Sequence, residues 1–327
     1  MSRPSTGAFE AEVIAVEDLS PSFRRITFGG GGMEDFGIPH HPRDQRLKMI
    51  IPPRGDSPAF DLPGFLAEQE ESGISWYQAW LQLDPSVRGT MRTYTVREWR
   101  DAPRELVVDM VLHTDDDGHS GPASRWALEA EPGSRLHVLG PSRHGEPTLG
   151  GIEFDPGNAR HILLVGDETA VPAIASILDH IQDAEVTGQA VLEVPTEADI
   201  QELPGPAGLE VVWLPRGDAP VGSLIEPAVR RAVSAERVSA PGSDTATEIE
   251  DVDIDRGILW EVPAALTNAA HDSGSDAEAR ERPFYAWIAG EAAVVKSLRR
   301  YLVRDIGVDR GQVAFMGYWR SGRAEGE

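Results

Sequence analysis

His161-Ile-Leu-Leu-Val165, running into Gly166-Asp-Glu-Thr169 and then into a helical stretch from Pro172 to Ile181, decides the fold of the second half of the chain. A short apolar run bounded by a glycine turn reads as a buried strand, and a proline at the start of the following stretch suits the first turn of a helix. Strand, tight turn and helix make the repeating unit of a parallel α/β sheet. Further strands are expected at Gln189–Val194, Glu210–Leu214, Phe284–Ala289 and Gln312–Tyr318, with helices at Leu224–Val233 and Ala292–Arg304. From Ser234 to Arg282 the composition turns to Ser, Ala, Gly and acids, including Glu248-Ile-Glu-Asp-Val-Asp-Ile-Asp255. It reads as a flexible acidic insertion with a short helix around Trp260–Asn268.

Upstream of this stretch the period changes from 3.6 to 2. Strand-like runs at Glu10–Val16, Phe23–Phe28, Gln45–Ile51, Met91–Arg97, Glu105–Leu112 and Arg135–Gly140 are separated by Gly and Pro. Six short strands with such punctuation suit a small antiparallel β-barrel. The segment between Gly55 and Pro85, with Trp76, Tyr77 and Trp80, is either a surface loop with a short helix or a flap over a site. The expected organisation is a six-stranded antiparallel barrel over residues 1–150, followed by a Rossmann-like open parallel α/β sheet over 158–327 that carries the insertion at about 234–282.

Composition narrows the chemistry. The 327 residues carry 30 Lys plus Arg against 54 Asp plus Glu, a formal charge of −24. A field of that sign repels nucleic acid and anionic lipid, so neither nucleic acid nor stable membrane association is expected. There is no cysteine, which excludes disulfides, thiolate metal sites and a cysteine nucleophile. Any redox chemistry then needs a bound organic cofactor or a transient metal. Met1–Leu19 has no apolar core of a signal peptide, and a cytoplasmic location is expected. Only two of the basic residues are lysines, Lys48 and Lys296.

Two constellations point to a ligand. Arg92-Thr-Tyr-Thr-Val-Arg97 lies on a barrel strand, where alternation sends Arg92 and Tyr94 one way and Thr93 and Thr95 the other. A guanidinium beside a phenol suits a phosphorylated aromatic ligand, although an ordinary amphipathic strand has the same pattern. Val111-Leu-His113 precedes Gly118-His-Ser-Gly-Pro-Ala-Ser-Arg-Trp126, whose Ser124 sits where a helix would begin. A helix start built of small residues can seat a pyrophosphate, but any β-to-α turn resembles it. His113 reads either as a structural hydrogen-bonder or as a catalyst.

Taken with Gly166-Asp-Glu-Thr-Ala-Val-Pro-Ala173, Trp287-Ile-Ala-Gly-Glu291 and Gly317-Tyr-Trp-Arg320, these motifs resemble the siderophore-interacting proteins, FAD-dependent ferric-siderophore reductases of the ferredoxin-reductase superfamily. The resemblance implies an oxidoreductase in which electrons pass from NADH or NADPH, or from ferredoxin, through FAD to siderophore-chelated ferric iron. Reduction then releases ferrous iron for intracellular iron assimilation. It also implies roles. Arg92, Thr93, Tyr94 and Thr95 would hold the flavin; Asp109, Val111, Leu112 and His113 would line its ribityl and pyrophosphate region; Gly121, Ala123 and Ser124 would cap the pyrophosphate. Asp167, Glu168, Thr169, Ala170 and Trp319 would complete the cofactor-binding set. Lys48, Lys296 and Arg300 would form a basic triad for the ferric siderophore, with no catalytic acid or base and no resident metal.

The chain lacks the Gly-Thr-Gly turn of the plain reductases at Gly166–Thr169. Two acids at that helix start disfavour a dinucleotide phosphate there. Glu193 and then Glu197, with no nearby basic residue for a 2′-phosphate, favour NADH over NADPH. The competing functions are a general NADH:flavin oxidoreductase and a siderophore-binding or iron-handling module without turnover.

Overall fold

The computed structural model describes residues 5–53, 60–73, 75–113, 120–145, 150–233, 259–263 and 283–322. The chain divides into two compact units. One comprises Met1–Pro42 and Arg46–Thr148; the other comprises Arg43–Gln45 and Leu149–Glu325.

In the first unit, β1 (Thr6–Ser20), β2 (Phe23–Gly29) and β3 (Arg46–Ile51) are followed by three short helices, α1 (Leu62–Ser72), α2 (Trp76–Gln82) and α3 (Pro85–Arg88). Then come β4 (Thr90–Thr95), β5 (Glu98–Arg100), β6 (Glu105–Val111), α4 (Pro122–Glu129) and β7 (Arg135–Pro141). The six expected strands are all present, and β5 is a seventh. They form one curled antiparallel sheet in the order β4-β3-β7-β1-β2-β6-β5. The fifteen-residue β1 pairs with both β2 and β7, and register shifts at Val13/Ala15 and Asp18/Ser20 let it bend.

Alternation fills the concave side with Phe9, Val13, Ile26, Phe28, Met49, Val108, Met110 and Val138. The α4 helix closes this core with small side chains, Ala123 and Ala127, and lays Trp126 on Phe28 with ring centroids 6.2 Å apart. The outer side has its own small core. Ile50, Met91 and Leu139 pack under Leu62 and Trp80 of the helical insertion, and the Arg88 guanidinium lies 3.9 Å from the Trp80 ring. The segment read as either a surface loop with a short helix or a flap is, over its described residues, a helical pad on the outer wall. Its helix starts are set by Asp61 and Asp84, each capping a helix that has proline in its first turn.

The second unit is built from β8 (His161–Gly166), α5 (Val171–His180), β9 (Thr187–Val194), β10 (Leu209–Pro215), α6 (Ile225–Ala232), β11 (Trp260–Glu261), β12 (Phe284–Glu291), α7 (Ala292–Arg299) and β13 (Val313–Trp319). Its sheet order is β10-β9-β8-β12-β13-β11, parallel except for β11. Chain order reverses between β8 and β12, the position at which sheets of this kind take ligands at the carboxyl ends of their strands. Leu163, Val165, Val191, Ala286 and Ile288 pack with α6 and α7 in one apolar cluster.

Two local expectations are corrected. Trp260 and Glu261 are strand rather than helix: they pair with Met316 and Phe315 of β13, Trp260 stacks on Tyr318, and Glu261 takes the Arg299 guanidinium. Edge pairing and that ion pair outweigh a weak helical pattern. The expected helix Ala292–Arg304 is α-helical only to Arg299 and continues as a π-helical stretch, Arg300–Ile306. Apart from 259–263, the acidic insertion lies outside the described residues. Among the described residues no helix is long and apolar enough to cross a membrane.

Candidate functional site

In the first unit the structure brings β4, the end of β6 and the start of α4 together. On β4, Arg92 lies opposite Met49 and Tyr94 opposite Leu47, both core residues, so Arg92 and Tyr94 share the concave side. Thr93 lies opposite Lys48 and accepts its ammonium at 2.5 Å, which puts Lys48 on the other side. At the end of β6, Val111 is buried and the Leu112 N–H donates to the Ser22 carbonyl at 2.9 Å. Ser124 joins this strand end to α4: its hydroxyl accepts from the His113 N–H at 3.0 Å and donates to the Val111 carbonyl at 3.3 Å. Residues 114–119, including Gly118 and His119 of the motif, lie outside the described residues. The Asp109 carboxylate, by contrast, is committed. It takes Arg25 in a paired bond at 2.7 and 2.8 Å, with Arg97 3.8 Å away.

The ends of α4 are unequal. Its carboxyl end is capped by Arg24, whose guanidinium donates to the Ala127 and Leu128 carbonyls at 2.8 and 2.6 Å. Its amino end has no side-chain cap: Gly121 precedes it and Pro122 has no N–H. The first-turn donors are therefore the N–H groups of Ala123 and Ser124, and a Cβ placed on Gly121 would meet nothing within 4 Å. Open space before two donors that have no acceptor among the described residues, at the positive end of a helix, fits a pyrophosphate, the part of FAD that the motif implied.

The second unit has a contrasting cluster at the carboxyl ends of its strands. Asp167 is 1 % exposed and fully employed. One oxygen accepts from the Thr169 N–H at 2.9 Å and from its hydroxyl; the other accepts from the Glu291 N–H and the Trp319 indole, both at 2.8 Å. Gly290, at φ +142°, has its Cβ position 2.6 Å from that second oxygen, so only glycine admits the carboxylate. Burial, then the charge of Glu168, lifts the Asp167 pKa to about 6.

Glu168, also 1 % exposed, takes Arg216 in a paired bond at 2.6 and 2.7 Å. Glu193, fully buried, accepts from the Gly222 and Leu224 N–H groups and lies 4.0 Å from Arg216. Burial opposes the charge on Arg216, yet Glu168 with Glu193 and Asp167 holds it above its ordinary value. Ala170 is buried at the start of α5, its N–H on the Asp167 carbonyl. The expectation that no basic residue stands near Glu193 is corrected, since Arg216 follows the neighbouring strand. Glu193 is spent on the 222–224 turn and is not presented to a ribose.

Three comparisons place the chain. Residues 12–145 match the model of the siderophore-interacting FAD-binding domain, and residues 159–322 match that of the siderophore-interacting protein. An uncharacterised protein of Mycobacterium tuberculosis is 31 % identical over 316 residues, 96 % of this chain and 90 % of the relative. The chain belongs to the siderophore-interacting protein family. Vibrio cholerae ferric vibriobactin reductase is 27 % identical over 241 residues, 74 % of this chain and 79 % of that protein. The crystal structure of the siderophore-interacting protein SipS from Aeromonas hydrophila superposes with a TM-score of 0.63 at 28 % identity, covering 98 % of this chain and 95 % of that one.

In this siderophore-interacting protein the late basic residues are differently placed. Glu291 caps α7, accepting from the Ala293 and Val294 N–H groups at 2.7 and 3.1 Å. Lys296 is half-buried, Arg300 is exposed, and the Arg300 N–H reaches the Lys296 carbonyl, so α-helical spacing holds between them. Arg299, between them in sequence, points instead into the fold, 5 % exposed and bonded to Glu261.

Sequence reasoning missed Asp44. Its buried carboxylate accepts from the Trp287 indole at 2.9 Å and from the Glu153 and Phe154 N–H groups, and burial raises its pKa. A lone aspartate in a proline-flanked loop gives no sign of a partner 243 positions away.

Proposed function

We propose that this protein is a flavin-dependent reductase that takes electrons from NADH or NADPH and delivers them to ferric iron held by a siderophore, releasing ferrous iron. The observation that carries the proposal is the uncapped start of α4, held against β6 by Ser124, within a stretch that matches the FAD-binding domain of the family. When bound, FAD would supply acceptance of two electrons as hydride and their release one at a time.

The Ala123 and Ser124 N–H groups would bind the pyrophosphate, with Gly121 leaving room for it. Arg92 and Tyr94 would hold the remaining phosphate and ring, and Thr93 and Thr95 complete the strand. His113, fixed through its backbone by Ser124, and Leu112 would border the ribityl chain. Asp109 acts at one remove, by fixing Arg25 and Arg97. In the second unit Asp167 would hold Trp319 in place, while Glu168, Thr169 and Ala170 shape the crevice.

Lys48, Lys296 and Arg300 would attract the anionic ferric chelate, since local positive potential draws anions against a net charge of −24. Ferric iron is hard and gripped by anionic oxygens; ferrous iron is held less tightly, so the protein needs no iron ligands of its own. Glu193 and Arg216 occupy each other and Glu168, so neither selects between NADH and NADPH. Ferredoxin remains the alternative donor.

Anaerobic protein loaded with FAD should lose its flavin absorbance on adding NADH or NADPH. It should regain it with ferric catecholate, hydroxamate or carboxylate complexes at rates that differ among the three. Failure to take up FAD overturns the reading. Reduction that no ferric complex reverses identifies a general flavin oxidoreductase. The pair Lys296→Ala with Arg300→Ala should raise the chelate concentration for half-maximal re-oxidation about tenfold at unchanged flavin content; an equal loss of flavin would make α7 structural.

A further inference from the structure

We propose that Arg104 and Arg143 form a second anion site in the first unit, for a phosphate group, separate from the cofactor site. Arg104 immediately precedes β6, at the end of that strand away from Val111. Seven extended residues separate the two places by roughly 20 Å. Arg143 follows β7, and its backbone N–H donates to the Asp35 carbonyl at 3.0 Å. The two guanidiniums converge on one backbone oxygen: Arg104 donates to the Glu34 carbonyl, and Arg143 Nη1 lies 3.5 Å from the same atom.

Arg25, Arg100 and Arg135 of the same unit each lie against a carboxylate. Among the described residues Arg104 and Arg143 have no carboxylate within ion-pair distance, although Glu34 and Asp35 stand beside them; Asp35 is taken by His144 at 2.9 Å. Two like charges brought to one acceptor repel, and an anion between them removes that cost. Arg104 also holds a left-handed backbone, φ +74°, which an arginine adopts only against resistance. Together with Gly30, Gly31, Glu34, Asp35, Pro103 and His144 the pair lines a groove of about 590 Å³. Two planar forks match the oxygens of a phosphate dianion, and the groove has room for a group attached to it.

Isothermal titration of the FAD-loaded protein with inorganic phosphate should show saturable binding at one site. Arg143→Gln and Arg104→Gly should each weaken it at least tenfold with flavin content unchanged. Glycine suits the left-handed position, so the second variant should fold at least as stably as the parent. Phenyl phosphate distinguishes the source: tighter binding than inorganic phosphate assigns the groove to a phosphate carried on an organic group, and equal binding assigns it to the free ion. Absence of saturable binding, or binding undiminished in both variants, overturns the proposal. Neither result touches the reductase reading, which is scored by flavin uptake and re-oxidation.

Discussion

The starts of α4 and α5 are two solutions to one electrostatic problem. Each follows a strand and presents the positive end of a helix. At α4 the chain supplies glycine, proline, alanine and a serine turned back to the strand, and leaves the donors open. Beside α5 it supplies three buried acids, Asp167, Glu168 and Glu193, each already bonded within the protein. The first arrangement leaves room for an anion from outside, as proposed above; the second has built its anions in. Two βα turns that look alike in sequence can therefore differ in what their helix starts offer, and only the partners of the side chains tell them apart.

The comparison breaks most readily at Arg216. With Arg216→Ala, Glu168 and Glu193 lose their cation while buried, and unfolding free energy should fall by about 3–5 kcal/mol. Urea titration followed by tryptophan fluorescence measures it; a loss below about 1 kcal/mol would mean the acids are not held as described. Asp167 gives the next test. Its folded pKa is raised from 3.8 to about 6, so its contribution to stability is present below about pH 3.8 and is lost as pH rises through about 6. Wild-type stability should therefore fall, relative to Asp167→Asn, between about pH 4 and pH 6. Parallel curves would place the carboxylate at its ordinary value.

Much of this was legible in the sequence, and the misses share a cause. Period-2 runs marked six barrel strands, and His161–Val165 with its turn marked the first α/β unit, because burial on one face writes itself into local pattern. Three-residue β5 and two-residue β11 are too short to have a period. Glu193 read as a sign of NADH because sequence shows a charge but not the N–H groups of Gly222 and Leu224 that it accepts from. Arg216 is 48 positions from Glu168 and meets it only because β9 lies between β8 and β10. The Asp61-Leu-Pro and Asp84-Pro starts are the signals in this segment that mark helices, since each aspartate caps a helix with proline in its first turn.

A third test makes the open helix start resemble the closed one. Gly121→Asp places a carboxylate at the α4 cap, where φ is −59° and nothing crowds a Cβ. Stability should rise by about 0.5–1 kcal/mol while FAD affinity falls about 10- to 100-fold by fluorescence quenching. Unchanged affinity would place the pyrophosphate elsewhere. The smallest effect belongs to Arg135, which bridges Glu10 and Glu12 on the barrel surface at 58 % exposure. Arg135→Ala should cost about 0–1 kcal/mol by the same urea titration, the solvent-screened counterpart of Arg216.

The two residues of β11 have a consequence for the molecule among its copies. A β-strand at the margin of a sheet offers unused backbone donors and acceptors to any passing extended chain, and β13 would be such a margin around Phe315 and Met316. Trp260 and Glu261 occupy that place, clipped by Arg299, and Pro263 soon after cannot extend the ladder. A two-residue fragment thus covers an edge that would otherwise be open to strand addition, and deleting it should raise self-association, as measured by light scattering.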